Sequence, residues 1–164
     1  MALVNIPDNI EKIKTSQYLR FIDTTPSAQN PTWKIMGIGV EEASTSYNSN
    51  VERIKWIIED SARTDHTSND KQASVTQKAY KNDPCFEFIN AGRDKLNYRT
   101  HILEVDTWNG SGSSYPAKMS DGVVSISEYS GDEISYDLYF DGDPTEGTCT
   151  ISDGVPTFTE TASL

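Results

Sequence analysis

A chain of 164 residues and 18.2 kDa has the size of one ordinary domain, and such a chain can bury roughly 70% of its unfolded surface. Only 35% of the residues are hydrophobic, yet three Trp, eight Tyr and five Phe supply large apolar bodies, which excludes wholesale disorder. The formal net charge of −11 sits entirely in the C-terminal part: residues 1–100 hold 13 acids and 13 bases, whereas residues 101–164 hold 12 acids and only Lys118, which disfavours tight nucleic-acid binding.

The opening stretch MALVNIPDNIEKIK lacks the basic start and continuous apolar run of a secretion signal, so the chain is expected to begin near Met1 and to work in a reducing interior. No apolar run approaches the ~20 residues of a membrane span. Ile6, Ile10 and Ile13 recur at roughly helical spacing, and residues 1–16 are expected to form an arm. PSAQNP, residues 26–31, is a loop by composition, and WKIMGIGV is the first strand candidate. Residues 41–72 form a long polar excursion interrupted by VERIKWII, another strand candidate. Trp56, Ile57 and Ile58 inside it call for burial, either against the chain's own domain or against a neighbouring subunit.

ASVTQKAY is a further strand, and NDPCFEFINAGRDK carries the punctuation of a helix over about 83–93. Asn82 or Asp83 serves as N-cap, Pro84 opens the helix, and Gly92 is placed for a left-handed C-terminal residue. Cys85, Phe86 and Ile89 give it an apolar stripe of about three turns. THILEVDTW follows as a strand, then the loop NGSGSSYP. MSDGVVSISEY and ISYDLYFD, joined by SGDE, read as a hairpin: Ile134, Tyr136, Leu138 and Phe140 share one face, opposite Ser135, Asp137, Tyr139 and Asp141. DGDPTEG, residues 141–147, reads as a turn rather than a calcium loop, because the ligand spacing and closing Glu are missing. GTCTISDG is the last strand candidate, and residues 153–164 form a candidate C-terminal arm. The class is mostly β: a single domain with one helix packed on a sheet or small sandwich.

Candidate chemistry is sparse. Glu104 and Asp106 share one strand face, a spacing compatible with general acid and base work and equally with an ordinary solvated strand. His101 has no partner nominated by spacing, and the motifs of nucleophilic hydrolases, zinc proteases and nucleotide-binding loops are absent. Cys85 and Cys149 read as buried free thiols, and with His66 and His101 they are too scattered for a zinc site. Trp33, Trp56 and Trp108 belong to a core or interface, or to a sugar-stacking platform on a carbohydrate-binding β-sandwich, which is the alternative function.

The order of these parts, with QKAYKNDPCFEFINAGRDK, ILEVDTW and VVSISEYSGDEISYDLYFDGDPTEGTCTI as its most telling stretches, resembles the phage major tail protein family over residues 18–152. That resemblance implies two packed antiparallel sheets, as a sandwich or partial barrel, with one flanking helix, a fold similar to the type VI secretion tube protein, and a structural role without catalysis or cofactor. It implies rings, usually of six subunits, stacked into a tube that conducts DNA during ejection. Ser125, Ser127, Ser135 and Asp137 would face the lumen, and Ile54, Trp56 and Ile58 would anchor the inter-subunit loop. Further partners implied are the tape-measure, tail terminator and distal tail proteins, in a virion tail assembled in the host cytoplasm; a non-contractile, siphophage tail is favoured.

Overall fold

The computed structural model describes residues 7–162. Among them the chain forms β1 (Tyr18–Asp23), β2 (Trp33–Ile35), β3 (Val40–Ser46), β4 (Ser49–Ile54), β5 (Arg63–Asn69), β6 (Gln72–Lys78), α1 (Pro84–Ala91), β7 (Tyr98–Asp106), β8 (Ser114–Tyr129), β9 (Glu133–Ser152) and β10 (Val155–Glu160). The fold is mostly β, as expected. Eight strands make one curled antiparallel sheet in the order β2-β1-β7-β8-β9-β6-β3, with β10 also on β9, while β4 and β5 form a separate two-stranded sheet.

Strand length explains why the layers are continuous. β9 has 20 residues, so its first part pairs with β6 and its last part with β10, while β8 pairs along its other side. ISYDLYFD and GTCTISDG are thus two parts of one strand. DGDPTEG does not reverse the chain: Gly142–Pro144 bulge opposite Ser120, between the pairs Asp121↔Asp141 and Met119↔Thr145, and Gly142 takes a φ of 63°. Such extra residues bend a sheet without ending a strand. The SGDE hairpin is observed, with Gly131 at a φ of 94°.

Because neighbouring residues on a strand point to opposite faces, the sheet carries a core on each side. Ile22 and Ile102 join Val75, Val124, Tyr136 and Leu138 on one face, where Cys85, Phe86 and Ile89 of α1 cover them. Phe21 and Leu103 turn to the other face, with Trp33, Val105, Ala117 and Cys149, and Phe158 of β10 packs there. The curl brings β2 and β10 into contact around this second core.

Asp83 caps α1, its side chain accepting from the Cys85 amide at 3.2 Å. The helix has eight residues, about two turns rather than three, and Gly92 sits at a φ of −92°, not in the left-handed region. Glycine is needed for another reason: the Tyr98 ring occupies the place of a Cβ. Gln77, fully buried on β6, ties this cap to the sheet by donating to Asp83 at 2.8 Å and to the Ile38 carbonyl at 3.1 Å, and it accepts from the Tyr136 hydroxyl at 3.0 Å.

Several further boundaries differ from expectation. WKIMGIGV divides between β2 and β3, with Gly39 at a φ of 71° in the bend. VERIKWII leaves the strand at Ile54, and the Glu59 amide closes a turn on the Trp56 carbonyl. Residues 7–14 are not helical and expose Ile10 and Ile13, while Ile6 lies outside the described residues. Residues 153–160 are no free arm: Asp153 and Gly154 take positive φ and return the chain as β10. Thr161 still donates its amide to the Glu146 carbonyl at 3.0 Å, and Ser163 and Leu164 of the expected C-terminal arm lie outside the described residues.

Candidate functional site

The strands β8, β9, β6 and β3 present one polar face. Register alignment makes Ser125, Asp137, Ser74 and Ser44 one row across all four strands, and Glu128, Ser135, Thr76 and Glu42 a second. Ser127, at the irregularity near the end of β8, donates to the Ser135 carbonyl at 3.1 Å, and Ser74 donates to Asp137 at 2.7 Å. The four sequence-nominated residues therefore lie together on one surface. Ser44, Ser74, Thr76 and Glu42 were missed there, although the alternation in ASVTQKAY carries the signal for Ser74 and Thr76. The cations reaching this face are Lys78, paired with Glu133 at 2.5 Å, and Arg99 of β7, paired with Asp141 of β9 at 2.6 Å.

Both borders of this four-stranded unit are open among the described residues. β3 pairs only with β6, and β7 leaves β8 at the pair Tyr98↔Val124, so residues 125–129 of β8 have β9 as their neighbour on one side and none on the other. Backbone donors and acceptors along such borders are templates for pairing with another chain.

Beyond β3 and β6, the hairpin β4–β5 projects with all its strand residues exposed. Its end carries Ile57, fully exposed, with Ile58, Trp56 and Ile54 also exposed. Folding back onto the chain's own domain is thereby excluded for these side chains. The Arg63 guanidinium lies 4.4 Å over the Trp56 ring and pairs with Glu59, which holds the turn.

Glu104 is buried, not solvated, and its two oxygens are divided. Oε1 accepts from the Tyr18 hydroxyl at 2.5 Å and from Arg20 at 3.1 Å, and Oε2 accepts from Lys71 at 2.5 Å. Burial is the largest influence on Glu104 and acts to raise its pKa, but the hydrogen bonds from Lys71 and Tyr18 and the charges of Lys71 and Arg20 together outweigh it. The carboxyl titrates below its usual range. Burial pushes the Tyr18 hydroxyl upward, so it stays a donor. Glu104 and Asp106 share the wall of an open cavity of about 660 Å³ between the hairpin and the Gly142–Pro144 bulge. With its carboxylate saturated by two cations and a phenol, Glu104 is poorly disposed to act as an acid or base.

His101 sits between two carboxylates, with Nδ1 at 2.8 Å from Asp23 and Nε2 at 3.3 Å from Asp121. Asp23 also accepts from the amides of Thr25 and Thr32, which makes it the organiser of the β1–β2 loop. Among the described residues no hydroxyl or thiol is bonded to this imidazole. Cys85 and Cys149 are free and buried in different cores, and burial pushes the Cys85 thiol up to about 12. The tryptophans have separate fates: Trp33 is buried in the second core, Trp56 lies at the hairpin end and Trp108 is exposed in the turn after β7. No helix among the described residues is long and apolar enough to cross a membrane.

No family model matches the chain, and no curated protein matches it significantly.

Proposed function

We propose that this protein is the structural subunit of a phage tail tube, assembling into stacked rings whose lumen conducts DNA. The observation that carries the reading is the four-stranded unit with one hydroxyl-rich, cation-poor face and two unpaired borders. Joining the border of β3 to residues 125–129 of β8 in the next copy closes the unit into a larger barrel and removes both edges. Each backbone hydrogen bond so formed contributes about 0.5–1.5 kcal/mol, so a few per joint, repeated around a ring, make closure favourable.

The polar face then becomes the lining. Ser125, Ser127, Ser135 and Asp137, with Ser44, Ser74, Thr76 and Glu42, offer phosphates no free cation, so a passing duplex exchanges no condensed counterions for ion pairs and meets a weakly repulsive wall. The hairpin β4–β5, with Ile54, Trp56 and Ile58 as anchors and Ile57 beside them, buries its apolar end on a neighbouring copy. No reaction and no cofactor are involved. The tape-measure, tail terminator and distal tail proteins complete the set of partners, and the finished location is the virion tail.

Sedimentation and negative-stain electron microscopy over a concentration series test the reading. Rings or hollow tubes of one repeating subunit are expected. A folded species that stays monomeric at virion-like crowding, and is missing from tail particles, overturns it.

A further inference from the structure

We infer that the hairpin β4–β5 is a hinged body whose angle to the sheet is set by a buried ionic latch, with Glu104 and Lys71 as its positioning residues. The inference rests on the geometry of the isolated chain and not on the tube reading. The hinge is visible in the pairing. The β3–β6 ladder ends at Ser46↔Gln72 and the β4–β5 ladder starts at Ser49↔Asn69, so residues 47–48 and 70–71 belong to neither. Asn48 takes a φ of 41°, and side chains span the gap instead of a ladder: Asn48 donates to the Asp70 carbonyl at 3.0 Å, and Asn50 donates to the Asp70 carboxylate at 3.1 Å. Two interrupted connections side by side allow rotation that a continuous ladder resists.

Both connections are fastened to the body by the same buried cluster, and the second also by one backbone hydrogen bond, from the Phe140 amide to the Lys71 carbonyl at 3.1 Å. Lys71, in one hinge segment, reaches Glu104 of β7 at 2.5 Å, and its ammonium lies 4.2 Å over the Phe140 ring and 5.5 Å over that of Tyr47, in the other hinge segment. Arg20 of β1 bonds Glu104 at 3.1 Å and Thr45, just before the hinge, at 2.8 Å. Glu104 and Arg20 are almost fully buried, and a charge pair so shielded from water keeps a defined geometry that an exposed pair does not. His66 and Asn69 of β5 face the Gly142–Pro144 bulge across the cavity, and that space lets the hairpin move once the latch is released.

The test is a distance measurement between spin labels on Ile57→Cys, at the fully exposed end, and Thr148→Cys, on the exposed side of β9, with the labelled full chain diluted into unlabelled chain. Cys85 and Cys149 are buried, so the parent without added cysteines is expected to take no label. One narrow distribution is expected for the parent. Lys71→Met, which leaves Arg20, Tyr18 and Glu104 in place, is expected to widen it at least twofold or to add a second distance. Lys71→Arg is expected to restore the parent distribution. Thr45→Val severs the other fastening and reads the same property if Lys71→Met does not fold. A parent distribution that is already broad, or folded Lys71→Met and Thr45→Val chains that both keep the parent's narrow distance, overturns the inference, whether or not stability falls and whether or not the protein assembles.

Discussion

Glu104 shows how a residue that looks ordinary in the sequence becomes expensive to alter. Its alternation with Leu103 and Val105 places it opposite the second core, and a strand pattern alone reads that face as solvent. The long side chains of Arg20 and Lys71, 84 and 33 positions away, cover it instead. Its folded pKa is depressed, so the stabilisation is complete above the unfolded carboxyl value near 4.3 and is lost as pH falls through the lower folded value. Acid unfolding followed by circular dichroism is therefore expected to begin below about pH 4.3 with a contribution from this group. Glu104→Gln leaves the buried Arg20 and the part-buried Lys71 without their counter-charge and is expected to cost about 3 kcal/mol at neutral pH, with that part of the acid slope gone. Gln77 is a parallel case without charge. Replacing it by Leu leaves Asp83, the Ile38 carbonyl and the Tyr136 hydroxyl each short of one partner. About 2–4 kcal/mol of stability is expected to disappear in urea titration, since each buried unsatisfied group costs about 1–3 kcal/mol and Asp83 keeps another bond.

At the level of elements, amphipathic alternation and helix punctuation were readable because they depend on near neighbours. Pro84, Asp83 and the stripe of Cys85, Phe86 and Ile89 specify α1 within a dozen residues. Strand ends were less readable, since β8 and β9 continue through Pro116 and through Gly142–Pro144, where composition signals a turn. The long neighbouring strand carries the ladder past both: Pro116 pairs with Thr148, and the pairs Asp121↔Asp141 and Met119↔Thr145 bracket the Gly142–Pro144 bulge. The hairpin β4–β5 is the opposite case, an element whose residues are nearly all in water. Replacing residues 49–69 by Asn-Gly joins the hinge segments by a two-residue turn and leaves both cores untouched. The shortened chain is expected to unfold within about 1 kcal/mol of the parent in urea, because exposed residues contribute little to stability. If the tube reading is right, the same variant forms no stacked tubes in the electron microscope; normal tubes would remove the hairpin from the proposed contacts.

For the molecule as a whole, the decisive property is the separation of a cation-poor sheet face from two greasy cores. Ser125→Lys with Ser135→Lys adds two free cations to that face and touches neither core, so the fold is expected to stay within about 0.5 kcal/mol per site. On the tube reading proposed above, tubes of this variant retain DNA at low salt and release it as salt rises, with a slope of about −0.9 per phosphate neutralised, where parent tubes retain none. A variant tube that ignores DNA would show that these positions do not line the channel. The sequence by itself determined the mostly β class, the helix, the buried thiols and the acidic bias of the last 64 residues, because periodicity, capping chemistry and charge are local or additive quantities. Only the tertiary structure decided that β10 belongs to the sheet, that Glu104 is buried among cations, and that the end of the hairpin stays uncovered. Those outcomes depend on contacts between residues far apart in the chain, which no local pattern encodes.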